Sequence, residues 1–271
     1  MKQSNFSVSF LALAAFLVGC NVKAISVEKY LTLTLSQKSA LDKFKDQVMP
    51  MLKDNYMKQD TYLIQWLRAR NFDINSAETM IRENLKWREE NGIDNITKED
   101  WSDMTIDTYD KTGRPIGVID IYDWNTRGAV LGGKGARLHR YDISIVENIT
   151  RQVYKLQDKG INVTQVVVLG NAAGFNVVQH ACPVCLPIWI QFVQVIESYY
   201  PGALDELIII DATPAIQILM EALKPFFSQN TRDAIKVFGP NRAKWMEYLD
   251  NKISREERRK HYGGTKPPLE F

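Results

Sequence analysis

Two short and almost wholly apolar segments set the strongest limit on how this chain can fold. They are QVVVL at 165–169 and LIIID at 207–211. Strands that are apolar at nearly every position are buried on both faces, as in parallel sheets covered by helices. A third strand is predicted for IGVIDIY at 116–122, and helices are predicted at 141–157, from Pro183 to about Tyr199, and at 216–223. The alternation predicts an α/β fold with a parallel or mixed sheet and helices packed on it.

The segment 36–95 has a different pattern, without strands. Ala40, Phe44 and Val48 recur at helical spacing, which indicates one buried helix face. Asn75 with Glu78 has the form of a capping box at the start of a later helix. We therefore expect an N-terminal helical subdomain at 36–95, a main domain at 97–266 and a tail at 267–271.

The first residues have the layout of a secretory signal peptide. Lys2 precedes the apolar run FSVSFLALAAFLVG at 6–19, and the small residues around Ala24 suit cleavage. We predict a signal peptide at 1–24 and a secreted protein; the alternatives are an uncleaved anchor or an amphipathic helix, and a cytoplasmic location. Secretion would expose three sequons to glycosylation. They begin at Asn95, Asn148 and Asn162.

Without residues 1–24 the chain keeps only two cysteines, in the sequence Cys182-Pro-Val-Cys185. This spacing suits a redox pair, half a zinc site or a short disulfide. A zinc site needs further ligands, and His180 alone does not supply them. No thioredoxin-like context surrounds the pair. We rank buried or half-exposed thiols first and a local disulfide second.

Composition and motifs argue against several functional classes. The formal net charge is +2, whereas a dedicated nucleic-acid binder concentrates Lys and Arg. The three histidines, His139, His180 and His261, are scattered and form no HExxH pattern. The glycine-rich segment 132–135 lacks the P-loop frame. We expect no catalytic function, no metal site, no cofactor and no nucleic-acid partner.

Three blocks of sequence resemble the CRAL-TRIO lipid-binding family, in the family's order. They are DTYLIQWLRARNFDINSAETMIRENLKWREENGID at 60–94, YYPGALDELIIIDATPAIQILMEALKPFFSQNTRDAIKVFG at 199–239, and HYGGT at 261–265. Within the family the tocopherol-associated group is most similar, although we do not expect its C-terminal β-sandwich here. The resemblance implies a mixed β-sheet floor covered by helices, with a mobile gate helix at 216–223 over an apolar cavity.

The resemblance also implies which residues would line that cavity. Strand alternation groups Val166, Val168, Ile208 and Ile210 on one sheet face, and Val167, Leu169, Leu207 and Ile209 on the other. The sequence does not fix which face lines the cavity, and we take the first group as the candidates. The wall and gate candidates are Phe192, Ile196, Ile216, Leu219, Met220, Leu223, Phe226 and Phe227.

Phosphatidylinositol-binding members of the family carry charged residues that this sequence mostly lacks. Arg70 is kept, but Asn71, Gly202 and Ala234 occupy the other three positions. Arg232 and Lys236 lie near the last of these and are the remaining headgroup candidates. We therefore expect a monomer that binds a small hydrophobic ligand or lipid, such as a tocopherol, retinoid, isoprenoid or phospholipid. It would transfer this ligand between membranes or in extracellular fluid and contact membranes transiently. The alternatives are a cytosolic phosphatidylinositol or phosphatidylcholine transfer protein, and a secreted protein-interaction module.

Overall fold

The computed structural model describes residues 27–99, 108–109, 115–121 and 124–267. The predicted signal peptide, the end of the predicted strand at Tyr122 and most of the tail lie outside these residues. The α-helices are α1 (Val27–Tyr30), α2 (Leu35–Val48), α3 (Asp60–Ala69), α4 (Ile74–Glu90), α5 (Thr126–Leu131), α6 (Gly135–Asp158), α7 (Leu186–Tyr199), α8 (Pro214–Leu223), α9 (Gln229–Ala234) and α10 (Arg242–Lys252). The strands are β1 (Thr108–Tyr109), β2 (Pro115–Asp120), β3 (Val166–Asn171), β4 (Leu204–Ile210) and β5 (Ile235–Val237).

The five strands form one mixed sheet in the order β1-β2-β3-β4-β5. Strands β2 to β5 are parallel, and β1 is antiparallel to β2. Each parallel pair is joined through helices, and right-handed crossovers that advance in one direction place those helices on the same face of the sheet. The predicted α/β fold with a mixed sheet is confirmed. Among the helices in the described part of the chain, none combines the length and the apolar character that crossing a membrane requires.

The strand register gives the sheet two distinct faces. Val168 lies opposite Leu207, and Leu169 lies opposite Ile208. The cage face, which packs on α6, α7 and α8, carries Val166, Val168, Leu207 and Ile209. The outer face, which packs on α10, carries Val167, Leu169, Ile208 and Ile210.

The predicted grouping of strand residues was therefore wrong for β4. Ile208 and Ile210 are fully buried on the outer face, together with Trp245 and Leu249 of α10. Alternation fixes which residues of one strand share a face, but the pairing between two strands decides which face that is. The shift in register between Val166 and Val167 also breaks the alternation in β4, because Val166 lies opposite Leu204 whereas Val167 lies opposite Glu206.

The C-terminal part of the chain packs over the outer face of the sheet. The indole N–H of Trp245 donates a hydrogen bond to Asp211 over 3.0 Å. The hydroxyl of Tyr262 donates to Asp120 over 2.7 Å. Because these aromatic side chains are buried and their polar atoms are satisfied, this side of the sheet is a conventional packed core.

The N-terminal helices α2, α3 and α4 share their own core, which includes Phe44, Leu63 and Ile81. Helix α4 begins two residues earlier than the capping box of Asn75 and Glu78 predicts: the N-cap is Asp73, whose carboxylate accepts from the Ser76 amide over 2.7 Å. An aspartate cap satisfies the amides of the first turn equally well.

A buried network joins this helical unit to α6. Glu147 of α6 accepts hydrogen bonds from Arg88 of α4 at 2.7 and 3.1 Å, from Arg151 at 2.6 Å and from the Tyr200 hydroxyl at 2.8 Å. Burial alone would raise the pKa of Glu147, but the arginines outweigh it and hold that pKa below its ordinary value. Trp87 stacks on Tyr199 beside this network, with ring centroids 4.1 Å apart.

The segment before α7 differs from the prediction in two ways. Helix α7 begins at Leu186, and Pro187 rather than Pro183 occupies its first turn. Cys182 and Cys185 form a disulfide, whereas we had ranked free thiols first. The tight turn between them, in which the Cys185 amide donates to the Cys182 carbonyl over 2.8 Å, holds the two residues close enough to bridge.

Candidate functional site

Helix α7 has one exposed side and one side that packs toward the cage face. Its exposed residues, Pro187, Gln191, Gln194 and Ser198, fall on one side of the helix. The opposite side carries Trp189, Phe192 and Ile196, which point inward at helical spacing. All three inward residues are only half-buried. The predicted wall residues Phe192 and Ile196 therefore lie on the partly buried side of α7, toward the region where the cavity is predicted.

The sheet borders the same space from below. A Cβ added at Gly117 would lie 2.8 Å from Cδ1 of Ile149, so β2 faces α6 at this level. Val168 and Ile119 lie on the same face, and both are only half-buried despite their central strands. Glycine at 117 and 170 makes room for neighbouring side chains, because an added Cβ would lie 2.8 Å from Ile149 at the first position and 3.0 Å from Ile121 at the second. Val168 is half-buried on the cage face, whereas Val166 is buried in a cluster with Ile149 and Val163.

Helix α8 covers one side of this space in a closed arrangement. Ile216, Leu219 and Leu223 are buried against the cage face and α7. Met220 and Phe227 pack against the same cluster and are half-buried. These predicted gate residues therefore form an apolar seal, which contacts Ile209 of β4.

The outer side of the α8 segment is also apolar in part. Ile218 is 57% exposed and Phe226 is 37% exposed. Thr213, just before α8, donates a side-chain hydrogen bond to the Phe175 carbonyl. After α8, Glu197 of α7 accepts from the Ser228 amide over 3.1 Å. The helix is thus fixed at both ends and presents apolar side chains outward between them.

The predicted headgroup residues are not assembled into one site. Arg70 is exposed at the end of α3. Arg232 donates to the Phe227 carbonyl over 2.8 Å, and Lys236 donates to the Asp233 carbonyl over 2.7 Å. Arg232 and Lys236 therefore bond to backbone carbonyls within their own segment of the chain, and no described contact joins Arg70 to them.

Two other concavities lie away from the cage. One, of about 20 Å³, adjoins Arg88 and Glu147 and holds one water molecule at most. The other, of about 520 Å³, is an open groove on the helical unit with many charged side chains in its lining, such as Lys53, Arg82 and Glu89. Neither has the enclosed apolar lining that a hydrophobic ligand needs. Within the described ranges, no group of three or more His, Cys, Asp or Glu side chains is placed to hold a metal ion.

One buried acidic residue of α6 was not identified from the sequence. Asp142 of α6 is 2% exposed, and its Oδ1 has no hydrogen-bond partner. Burial raises the pKa of this carboxyl well above its ordinary value. In the sequence it is one aspartate among many on a polar helix, and only its position opposite the sheet distinguishes it.

Comparison with known proteins agrees with this architecture. A model of the CRAL/TRIO domain matches residues 103–264. Protein real-time from Aedes aegypti is 24% identical over 241 residues, which are 84% of this chain and 37% of that protein. The chain thus spans little more than a third of that relative's length. The crystal structure of Sfh5 superposes with a TM-score of 0.65 at 15% identity, covering 85% of this chain and 87% of the Sfh5 chain, which shows the shared fold. Because the matched domain makes up more than half of its residues, this chain belongs to the CRAL/TRIO domain family.

Proposed function

We propose that this protein binds one small hydrophobic molecule or lipid between the cage face and helices α6 to α8, and transfers it between membranes or through extracellular fluid. The observation that carries the proposal is the incomplete burial of the inward side of α7. Trp189, Phe192 and Ile196 point into the fold but remain half-buried. Burying such apolar area releases about 25 cal/mol per Å², so a hydrophobic ligand gains free energy by filling this space.

Helix α8 is the proposed gate. It contributes an apolar seal inside and exposed Ile218 and Phe226 outside. A membrane surface would bury those exposed side chains and so favour an open arrangement over the closed one. Transient membrane contact is therefore part of the proposal, with the protein acting as a monomer.

The proposed cargo is an uncharged lipid such as a tocopherol, retinoid or isoprenoid. A phosphate headgroup needs convergent positive charges or amide donors. The candidate cations Arg232 and Lys236 already bond to backbone carbonyls. This arrangement favours a neutral cargo over phosphatidylinositol. The proposed role is carriage without catalysis.

A pair of variants tests the binding site. Ile196→Trp fills the inward side of α7, whereas Gln194→Trp adds the same bulk on its exposed side. Lipids extracted from each purified protein are identified by mass spectrometry. We expect about one molecule of neutral lipid per protein molecule in the wild type and in Gln194→Trp. The amount of bound lipid should fall at least tenfold in Ile196→Trp. Equal retention in both variants would place the ligand elsewhere, and inositol phospholipid as the sole ligand would refute the neutral cargo.

We also propose that the protein is secreted. The Cys182–Cys185 disulfide favours an oxidising compartment, and the sequon residues Asn95 and Asn162 are exposed. N-terminal sequencing and glycosidase treatment of the protein from its native source test this proposal. A mature chain beginning after Ala24 and a mass loss on deglycosylation are expected, and an intact Met1 without glycans would refute it.

A further inference from the structure

Exposed apolar side chains are concentrated at one edge of the sheet. Strands β2 to β5 are parallel, so the segments that follow them begin at the same edge. Seven of the nine large apolar side chains that are exposed in the described ranges lie at the ends of these strands or in those segments. They are Leu131, Val177, Val178, Val184, Ile218, Phe226 and Val237. Exposed apolar groups that cluster in this way mark a surface that another molecule covers.

The loop 176–185, which joins β3 to α7, holds three of these side chains and lies against the start of α5. The carbonyl of Gln179 accepts from the Arg127 amide of α5 over 3.0 Å. The same carbonyl lies 3.8 Å from the sulfur of Cys185. Val178 and Val184 are each one residue away from this junction. The exposed valines of the loop are therefore neighbours of α5.

The loop 176–185 is held in one shape by several bonds. The Cys182–Cys185 disulfide closes its second half. The Asn176 side chain accepts from the Gln179 amide over 2.8 Å, and the indole N–H of Trp189 in α7 donates to the His180 carbonyl over 2.7 Å. A loop that is already ordered loses little conformational entropy when a partner covers it.

The charge around this surface is positive. The segments 124–141 and 172–196 contain no Asp or Glu, whereas 124–141 contains four Arg or Lys residues. Two of these, Arg137 and Arg140, pair with Glu99. The other two, Arg127 and Lys134, are exposed and lie on either side of Leu131 in the chain. A partner that is apolar inside and anionic at its surface would complement this combination, as a membrane of anionic phospholipids does.

Helix α8 lies beside this loop but cannot provide a fixed attachment. Thr213, just before α8, donates a side-chain hydrogen bond to the Phe175 carbonyl, so the two segments adjoin. The proposed opening of α8 withdraws Ile216 and Leu219 from the apolar seal. An attachment that holds the protein while α8 moves must lie outside that helix, and the bonds within the loop 176–185 keep it in place.

We propose that the loop 176–185 and α5 form a fixed anchor for membranes that contain anionic phospholipids. Val178, Val184 and Leu131 enter the boundary between the headgroups and the acyl chains. Arg127 and Lys134 lie at the rim and attract the anionic headgroups. The inference rests on the proposed transfer between membranes and adds the residues of attachment and the charge of the membrane that they select.

One pair of variants tests the apolar part of the anchor. Flotation measures binding of the full chain to vesicles of phosphatidylcholine with a minority of phosphatidylserine. Val178→Glu places a charge on the loop and should weaken binding about tenfold, because an apolar contact is lost and a like charge faces the lipid. Ile161→Glu is the matched control. Ile161 is 42% exposed but lies before β3, at the opposite edge of the sheet, so binding should stay the same.

A second pair of variants tests the charge. Arg127→Gln combined with Lys134→Gln should weaken binding to the same vesicles about tenfold, since each cation near an anionic surface contributes to attachment. The control combines Lys155→Gln with Lys159→Gln, which lowers the net charge equally at the far end of α6 and should leave binding unchanged. The wild type should bind vesicles of phosphatidylcholine alone more weakly than the mixed vesicles.

Hydrogen exchange with and without the mixed vesicles locates the contact. The amides of the loop 176–185 and of α5 should become protected when vesicles are added. Replacing Cys182 and Cys185 by serine should weaken vesicle binding about threefold, because the loop loses its fixed shape. Thermal unfolding of each variant without vesicles verifies the fold.

The outcomes separate the anchor from the carrier function. Unchanged vesicle binding in Val178→Glu, or protection confined to α8, would overturn the anchor and leave the carrier function standing. Equal binding of the wild type to both kinds of vesicle would overturn the selection of anionic membranes. A wild type that binds neither vesicle would overturn the anchor and favour a protein partner for this surface. The carrier function is judged separately, from the lipid extracted from the wild type and from Ile196→Trp.

Discussion

Replacing Glu147 with glutamine tests how the helical unit is held to the cage. The substitution keeps the size of the side chain but removes the charge that faces Arg88. The side chain of Arg88 is 6% exposed and that of Glu147 is 3% exposed, so the arginine loses its buried counter-ion. Glu147 now accepts hydrogen bonds from Arg88 and from the Tyr200 hydroxyl. The amide of glutamine would turn N–H groups toward these donors, and two donors cannot form a hydrogen bond with each other.

Breaking a buried ion pair from one side costs about 3–5 kcal/mol. Asp94, whose side chain is 50% exposed, still contacts Arg88 over 2.5 Å. We therefore expect a loss of about 3 kcal/mol in the free energy of unfolding for Glu147→Gln. Glu78→Gln is the matched control, because Glu78 pairs with Arg82 on the surface, where such pairs contribute about 0–1 kcal/mol.

Urea unfolding followed by tryptophan fluorescence measures both values, and its pH dependence gives a second test. The folded-state pKa of Glu147 is depressed, so its contribution is complete above the unfolded pKa, which is about 4.3. That contribution is lost as the pH falls through the folded pKa. The wild type should lose stability over this acid range, and Glu147→Gln should lose less. A cost below about 1 kcal/mol, or identical pH profiles, would refute the assigned role of the network.

Two further perturbations concern single turns. Gly263→Ala should destabilise the protein more than Gly160→Ala. Both glycines have a left-handed backbone, with φ of 73° and 76°. An added Cβ would lie 1.9 Å from the sulfur of Met246 at Gly263, whereas it would meet nothing within 4 Å at Gly160. Equal shifts in the urea midpoint would contradict this difference. Replacing Cys182 and Cys185 by serine should lower the free energy of unfolding by about 2 kcal/mol or less, since the disulfide closes a very short loop. Amide hydrogen exchange should increase at the start of α7. Unchanged exchange there would show that the disulfide does not stabilise this end of the helix.

The fold could be predicted from the sequence because its strongest signals are local. The apolar runs of β3 and β4 and the amphipathic pattern of α6 each depend on neighbouring residues only. The assignment of Ile208 and Ile210 to the cavity failed because it depends on strand register. Register is a property of two segments that are distant in the chain.

The candidate site was predictable in part for the same reason. Phe192 and Ile196 were identified from helical spacing, and both are half-buried on the side of α7 opposite its exposed residues. Asp142 was missed because its character comes from burial and from the lack of a partner, and neither property is visible in a sequence. The Cys182–Cys185 bond was ranked too low because its formation depends on the local turn rather than on cysteine spacing alone.

The two faces of the sheet also have a consequence for natural variation. The outer face carries the packed core with Trp245 and Tyr262, where a change of one methylene group affects stability. The cage face instead presents half-buried Val168 and Ile119, where volume can change with less loss of packing. Because alternate residues of each strand belong to different faces, descendants of this sequence can exchange one set and keep the other. For the proposed carrier, single substitutions on the cage face should therefore alter ligand preference at a smaller cost in stability than substitutions on the outer face.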